Sequence, residues 1–229
     1  MIDELIKKIP EAWLNNKDRK RKIKNMEPTI FETHYKEYCR QIAGLDFSSL
    51  KDILGIELRG RAAVIPFFGE DYIVSGTGIA DGTGNRPNYM VCVILSKYLL
   101  LCPGAPVVNK EWSALKDFHK MSQFTNLNFF TSDTERPIVK RFSGRIGALS
   151  DASRKLGGRP CELGLSYDFA MEFRVLPKIE ILLMFNDRDD EFPATCSVLF
   201  QKQAQDYLDP ESLIMIGTAF RQRLQKLSV

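Results

Sequence analysis

Acidic side chains form the densest chemical group in this sequence. Asn186-Asp-Arg-Asp-Asp-Glu-Phe-Pro193 carries four carboxylates within five positions: Asp187, Asp189, Asp190 and Glu191. Carboxylates that close together can hold a hard cation, or one of them can have its pKa raised by the others and move a proton. The run is not an EF-hand loop, because its sixth position is Phe192 in place of glycine and its twelfth is Val198 in place of glutamate. Joined by Asp168 from a neighbouring strand, Asp190 and Glu191 make the candidate metal or ligand site. Phe192 and Pro193 are the candidate anchors of the loop, one through an apolar side chain and the other through a fixed φ. The plainer alternative is a solvated acidic turn, which is what charge runs in loops usually are.

Three other features have the right residue types for chemistry. Lys17-Asp-Arg-Lys-Arg-Lys-Ile-Lys24 holds six basic residues and one acid, a local charge of +5. Lys17, Arg19, Lys20, Arg21, Lys22 and Lys24 are therefore the candidate anion-binding group, for an anionic polymer or a membrane surface. Gly76-Thr-Gly-Ile-Ala-Asp-Gly-Thr-Gly-Asn85 is a glycine-rich loop between a strand and a helix. A dinucleotide fingerprint starting at Gly76 needs glycine where Asp81 stands, and a P-loop needs Gly-Lys-Ser/Thr where Asn-Arg-Pro follows Gly84. The loop reads as a connection, with an anion-binding nest as the alternative. Five cysteines stand at positions 39, 92, 102, 161 and 196, no pair closer than ten residues, and His34 and His119 are the only histidines. That spacing suits neither structural zinc nor an iron–sulfur cluster, and fits reduced thiols in a reducing compartment. Cys161 alone reads as lying in a loop, beside Arg159, with no base nearby in sequence to activate it.

The elements that would position these groups follow from periodicity. Ile2, Leu5, Ile6, Ile9 and Trp13 recur at helical spacing, and the basic run continues that helix to about Asn25. Met26-Glu-Pro28 reads as a boundary, followed by helices at about 29–43, 48–54 and 89–102. Residues 61–68 and 72–74 read as a hairpin around Gly69-Glu-Asp. Residues 132–156 read as helical, with a break near Gly144 or Gly147 and a stop at Gly157-Gly158. The C-terminal helix opens at Pro210 and carries Leu213, Ile216, Phe220, Leu224 and Leu227 on one stripe. Arg221, Arg223 and Lys226 lie off that stripe, where cations complement the helix dipole.

Residues 167–176 and 179–186 alternate as two half-buried strands with Pro177 in the turn. A three- or five-residue loop keeps both apolar rows on one face, and the three-residue version also sets Arg174 opposite Glu180. A two-residue loop pairs Leu176 with Ile179 instead. The preferred three-residue register also brings Asp168 opposite Asn186, at the mouth of the acidic run.

The 229 residues are 44% hydrophobic and 27% charged, which excludes wholesale disorder, a collagen-like repeat and a small disulfide scaffold. The net charge of +3 is the sum of the +5 run and −2 over the other 221 residues. No signal peptide is visible, and the longest apolar stretch is too short to span a bilayer. A cytoplasmic protein is expected. The fold expected is α+β: an antiparallel sheet from 61–75 and 167–186, with 196–200 as a candidate further strand, covered by helices. Residues 1–28 would be a basic amphipathic helical extension and 29–229 a single α+β domain.

A set of motifs resembles a family known as domain of unknown function 3786. They are Asp168-Phe-Ala, Leu176-Pro177, Asp190-Glu-Phe-Pro-Ala-Thr-Cys-Ser-Val-Leu-Phe200 and Tyr207-Leu-Asp-Pro-Glu-Ser-Leu213. Ile94-Leu-Ser-Lys-Tyr-Leu-Leu with Gly104 and Pro106, Lys110-Glu-Trp112 and Leu156-Gly-Gly158 extend the resemblance over roughly 30–228. Members of that family come largely from anaerobic bacteria and archaea, and some carry an N-terminal cysteine-rich iron–sulfur domain of the kind found in corrinoid proteins. This chain has the basic helix in that place, so no iron–sulfur cluster is expected. The resemblance implies an accessory role in anaerobic cofactor or redox metabolism.

Three functions are consistent with the sequence. The first is a non-catalytic accessory protein that binds a small molecule or a protein partner, using a pocket beside the sheet. The second is a divalent-metal-dependent enzyme built on Asp168, Asp190 and Glu191. The third is anionic-surface binding through the basic helix. Nucleic acid is not an expected partner, and no cofactor is expected beyond a divalent cation.

Overall fold

The computed structural model describes residues 17–119, 127–161 and 167–228. The chain opens with helix α1 (Lys17–Ala43) and a short helix α2 (Phe47–Leu54). Asp46 starts α2 by accepting from Ser48 N at 3.0 Å, and Gly55 ends it in the left-handed region at φ 67°. Helix α1 runs unbroken through Pro28, where the sequence suggested a boundary. A proline removes one i→i−4 bond, and the helical residues on either side carry the helix across it.

Two antiparallel sheets follow, in place of the one expected. The first has four strands in the order β1-β2-β3-β4: β1 (Glu57–Arg59), β2 (Ala62–Phe67), β3 (Glu70–Ser75) and β4 (Gly78–Ala80). The second has five, in the order β5-β9-β8-β7-β6: β5 (Trp112–Ala114), β6 (Arg159–Pro160), β7 (Phe169–Leu176), β8 (Ile179–Asn186) and β9 (Thr195–Gln201). The 61–75 hairpin is thus separate from the 167–186 hairpin, and 196–200 joins the latter. Pro66 sits in β2 beyond the stretch that β1 covers, so its missing N–H leaves no ladder bond unmade on that side.

The β7–β8 hairpin reconciles two registers that sequence alone set against each other. Leu176 pairs with Ile179 across a two-residue turn, yet Arg174 pairs with Glu180 and Phe169 with Phe185. A β-bulge at Val175 absorbs the difference, so both apolar rows still face the core. Glu180 gathers the polar face: it accepts from Arg174 Nε at 3.3 Å, Arg159 Nη2 at 3.2 Å and Gln201 Nε2 at 2.8 Å.

Helix α3 (Tyr89–Leu100) is capped by Asn88, whose Oδ1 accepts from Val91 N at 3.0 Å. Its buried residues lie all round the helix, from Val91 to Leu99, the pattern of a helix enclosed by its neighbours. Tyr98 Oη donates to Leu54 O at 2.7 Å and accepts from Lys178 N at 3.2 Å, tying α2 to the tip of the second sheet's hairpin. Helix α4 (Leu127–Phe130) passes through a π-helical segment at Thr131–Glu135 into α5 (Arg136–Phe142). Gly144, at φ 70°, turns the chain into α6 (Ile146–Lys155). After α7 (Ala204–Tyr207), helix α8 (Pro210–Leu227) begins at Asp209, whose Oδ1 accepts from Ser212 N at 2.8 Å. Leu213, Ile216, Phe220 and Leu224 of α8 are buried, as their stripe predicts.

The sheets share one core through Phe220. Its ring packs edge-on against Phe173 of the second sheet at 4.8 Å and stacks with Phe68 of the first at 6.0 Å. Backbone links them as well, since Phe68 N donates to Val175 O at 2.9 Å. The Val175 bulge therefore has a second effect. It turns one carbonyl of β7 out of its own ladder and toward the other sheet. No helix among the described residues is long and apolar enough to cross a membrane.

Candidate functional site

The β2–β3 turn is made by Phe68 and Gly69, at φ 52° and 79°. A two-residue turn with both central residues at positive φ normally takes Asn, Asp or Gly, because a Cβ there crowds the backbone. Phe68 is the only non-glycine described residue in that region. A bulky side chain held so costs of the order of 1–3 kcal/mol and persists where its surroundings over-determine it. Here the surroundings are the bond to the Val175 carbonyl and the stack on Phe220.

Around this turn opens a cleft of about 720 Å³. The strained turn and Pro66 form one wall, and Val175 with Arg174 another. The end of α6, from Lys155 to Gly157, and the last turns of α8, from Gln222 to Leu227, complete it. Four cations line the cleft, Lys155, Arg174, Arg223 and Lys226, against a single carboxylate, Glu70. Arg174 is bound to Glu180, whereas neither Lys155 nor Lys226 has an ion-pair partner among the described residues.

Arg223 is the most constrained of the four. Its guanidinium carbon lies 4.8 Å from the centre of the Phe67 ring and 5.1 Å from that of Phe68. Nη2 donates to Glu70 Oε2 at 3.3 Å and to Tyr72 Oη at 3.4 Å, while Tyr72 Oη donates to Glu70 Oε2 at 2.9 Å. Burial, then the Glu70 hydrogen bond, pushes the Tyr72 hydroxyl up to about 12, so it is protonated at neutral pH and serves as a donor. Neither His34 nor His119 lines the cleft, and no cysteine does. The arrangement can bind and orient a ligand.

The acidic run takes a different role from the one its composition suggested. Asp168 does reach it, since Asp168 Oδ2 accepts from Asp187 N at 2.8 Å. Asp187 Oδ1 in turn accepts from Gly144 N at 2.6 Å and Arg188 N at 2.8 Å, pinning the β8–β9 connection to the α5–α6 turn. Asp189 Oδ1 accepts from Phe192 N at 2.6 Å and Glu191 N at 2.8 Å. Those backbone bonds hold its carboxyl below the usual range. Asp190 and Glu191 are exposed, and among the described residues no group of three or more His, Cys, Asp or Glu could hold a metal ion. The Phe192 side chain is 66% exposed and anchors nothing; its backbone is what is fixed, through Asp189. Pro193 follows in an exposed stretch.

The remaining sequence candidates resolve individually. In the glycine-rich loop, Asp81 Oδ1 accepts from Thr83 N at 2.9 Å, Thr83 Oγ1 at 2.7 Å and Asn85 N at 3.0 Å. A carboxylate of the chain itself thus occupies the donors that an anion-binding nest would offer. Nothing at Cys161 activates it: burial, then a hydrogen bond to Glu172, pushes its thiol up to about 11, while Arg159 is engaged by Glu180 and Glu172. The side chains of Lys17, Arg19, Lys20, Arg21, Lys22 and Lys24 lie outside the described residues, as do residues 1–16.

The cleft residues were missed as a group. Phe67-Phe68-Gly69 at a hairpin turn was the available signal, an aromatic where the turn wants a residue tolerant of positive φ. Arg223 was readable as a cation near a helix end, but not as a side chain laid over two rings.

A small α+β protein with two antiparallel sheets, stitched together beside a cationic cleft, is the class that fold and site define. The chain belongs to the family described as domain of unknown function (DUF3786), whose model matches residues 46–223. No curated protein and no solved structure matched it.

Proposed function

We propose that this protein is a non-catalytic accessory protein that binds a small molecule in the cleft beside Phe68. The observation that carries this reading is the wall of the cleft. An aromatic residue strained at positive φ, a β-bulge and an inter-sheet backbone bond all meet there. Backbone strain and bulges concentrate at functional sites, because structure kept at a conformational cost is commonly kept for a ligand. The volume, about 720 Å³, falls in the range of small-molecule sites.

The same proposal places the protein in the cytoplasm and, by family association, beside anaerobic cofactor or redox metabolism. Its five free thiols support a reducing compartment. The test is a thermal-shift screen of cofactors and metabolites, run in parallel on the wild type and on Gln222→Trp, which fills the cleft from an exposed position on α8. Stabilising ligands should lose their effect in Gln222→Trp, while the unliganded melting temperature stays close to wild type. Ligand shifts that survive the substitution would place binding elsewhere and end this reading.

A further inference from the structure

We infer that the cleft selects an organic oxyanion, a phosphate- or carboxylate-bearing small molecule, and that Arg223 receives the anionic group by exchanging Glu70 for it. This rests on the cleft being the ligand site. The charge balance is the first support: four cations and one carboxylate line a half-open cleft, whose summed positive charge attracts an anion. The second is how Arg223 is held. Its guanidinium carbon lies within 4.8 and 5.1 Å of two aromatic ring centres, and its side chain is only 19% exposed. A planar, weakly hydrated cation oriented in this way is the form in which arginine recognises carboxylate and phosphate.

Glu70 supplies the third support. Its carboxylate stands where an incoming oxyanion would go, and the fit is loose. The Arg223 contact is 3.3 Å, longer than the 2.7–2.9 Å typical of a charge-assisted bond, and the Glu70 side chain is 66% exposed. Little is lost when that ion pair opens, and the Tyr72 hydroxyl, which donates to the same Glu70 oxygen at 2.9 Å, passes to the incoming oxyanion with it, so Glu70 is a displaceable internal anion. Lys155 and Lys226 lie in the last turns of α6 and α8, where they also answer the helix ends. They add charge to the cleft, whereas Arg223 supplies direction. The apolar walls, Pro66, Phe68, Val175 and Leu227, suit the organic part of the ligand.

The test is calorimetric titration of the intact chain with pyrophosphate and, separately, with tricarballylate, at two sodium chloride concentrations. The two probes distinguish a phosphate from a carboxylate preference. Binding should weaken with salt. Glu70→Gln, which frees Arg223 of its competitor, should bind about 3–10-fold more tightly, and Arg223→Gln should lose about 10-fold or more. Arg223→Lys keeps the charge and loses the fork and the stacking, and should fall well short of wild type. Should Arg223→Gln fold poorly, the gain in Glu70→Gln still decides the matter, since a structural role predicts no gain. Wild-type affinity in both Glu70→Gln and Arg223→Gln, or no binding of either probe at millimolar concentration, overturns the inference. If neutral ligands then bind in a Gln222→Trp-sensitive manner, the cleft reading stands and only its anion selectivity has failed. If no ligand is sensitive to Gln222→Trp, the cleft reading fails with it.

Discussion

At the scale of single residues, the decisive question for each candidate is what its polar atoms already hold. Asp168, Asp187 and Asp189 each commit one carboxylate oxygen to backbone N–H groups. Millimolar Mg²⁺, Mn²⁺ or Ca²⁺ should therefore move the melting temperature by less than about 1 °C; a clear rise would show a site. The same bonds make a pH prediction. Asp189 has a depressed folded-state pKa, so its contribution is present above the unfolded value of about 3.9 and disappears as pH falls through the folded value. The stability gap between wild type and Asp189→Asn should accordingly be widest near pH 6 and shrink only as pH falls below the unfolded value of about 3.9, as read from denaturant midpoints. Cys161 titrates in the opposite sense. With its thiol pushed up to about 11, on the order of one molecule in a thousand is thiolate at pH 8. Alkylation there should be slow, and faster in Glu172→Gln, by peptide mass spectrometry; equal rates would show that Glu172 does not govern the thiol. The sequence made these side chains visible, but not their partners. Asp168 meeting Asp187 followed from register, whereas the backbone donors from Gly144 and Phe192 come from folded turns that no local pattern encodes.

At the scale of elements, legibility tracked how far an element depends on its own periodicity. Helix α8 was readable to its first residue because Pro210 and the apolar stripe from Leu213 to Leu227 both lie within it, whereas its Asp209 cap was not singled out. Asp209→Ala should cost about 1 kcal/mol in denaturant unfolding, through the lost Ser212 N bond, with a smaller loss from the Lys97 ion pair at 3.2 Å. The π-helical segment before α5 was not readable, and it packs closely on a neighbour, α8. Gly217 of α8 presents no side chain there, and a Cβ at that position would lie 2.6 Å from Thr134 Oγ1 and hard against the Phe130 ring. Gly217→Ala would ordinarily improve a helix by about 1 kcal/mol. Here overpacking should prevail and leave the protein destabilised by about 1–2 kcal/mol. Adding Phe130→Leu should recover part of that loss; failure to recover any would mean that the glycine is not kept for close approach. The short strands β1, β4, β5 and β6 also escaped detection. Each has two or three residues, too few for alternation, and exists because a longer strand offers it an edge.

At the scale of the whole molecule, the division into two sheets is what sequence could least supply. Strand-like patterns at 61–75 and 167–186 have the same appearance whether they share a ladder or pack as separate sheets, because periodicity reports a buried face and not the partner that buries it. In the structure the two sheets meet at the same point that forms the cleft. Phe68 donates its N–H to the Val175 bulge and its ring to Phe220, which also packs on Phe173. One side chain of α8 therefore touches both sheets. If that junction makes them a single cooperative unit, Phe220→Ala should destabilise the protein by about 3–5 kcal/mol and weaken protection in both sheets together. Amide exchange should show Ile65 and Val74 of the first sheet and Ile181 and Phe185 of the second opening at a common free energy, in the wild type and, lowered by the same amount, in the variant. Were the first sheet to exchange ahead of the second, with Phe220→Ala lowering only one, the sheets would be independent foldons and the cleft a seam between them. Ligand binding discriminates in the same direction. A molecule seated against Phe68, Val175 and Arg223 contacts both sheets and α8 at once, so it should raise protection in all three. Protection confined to the β2–β3 turn would instead mark a ligand held by one sheet alone.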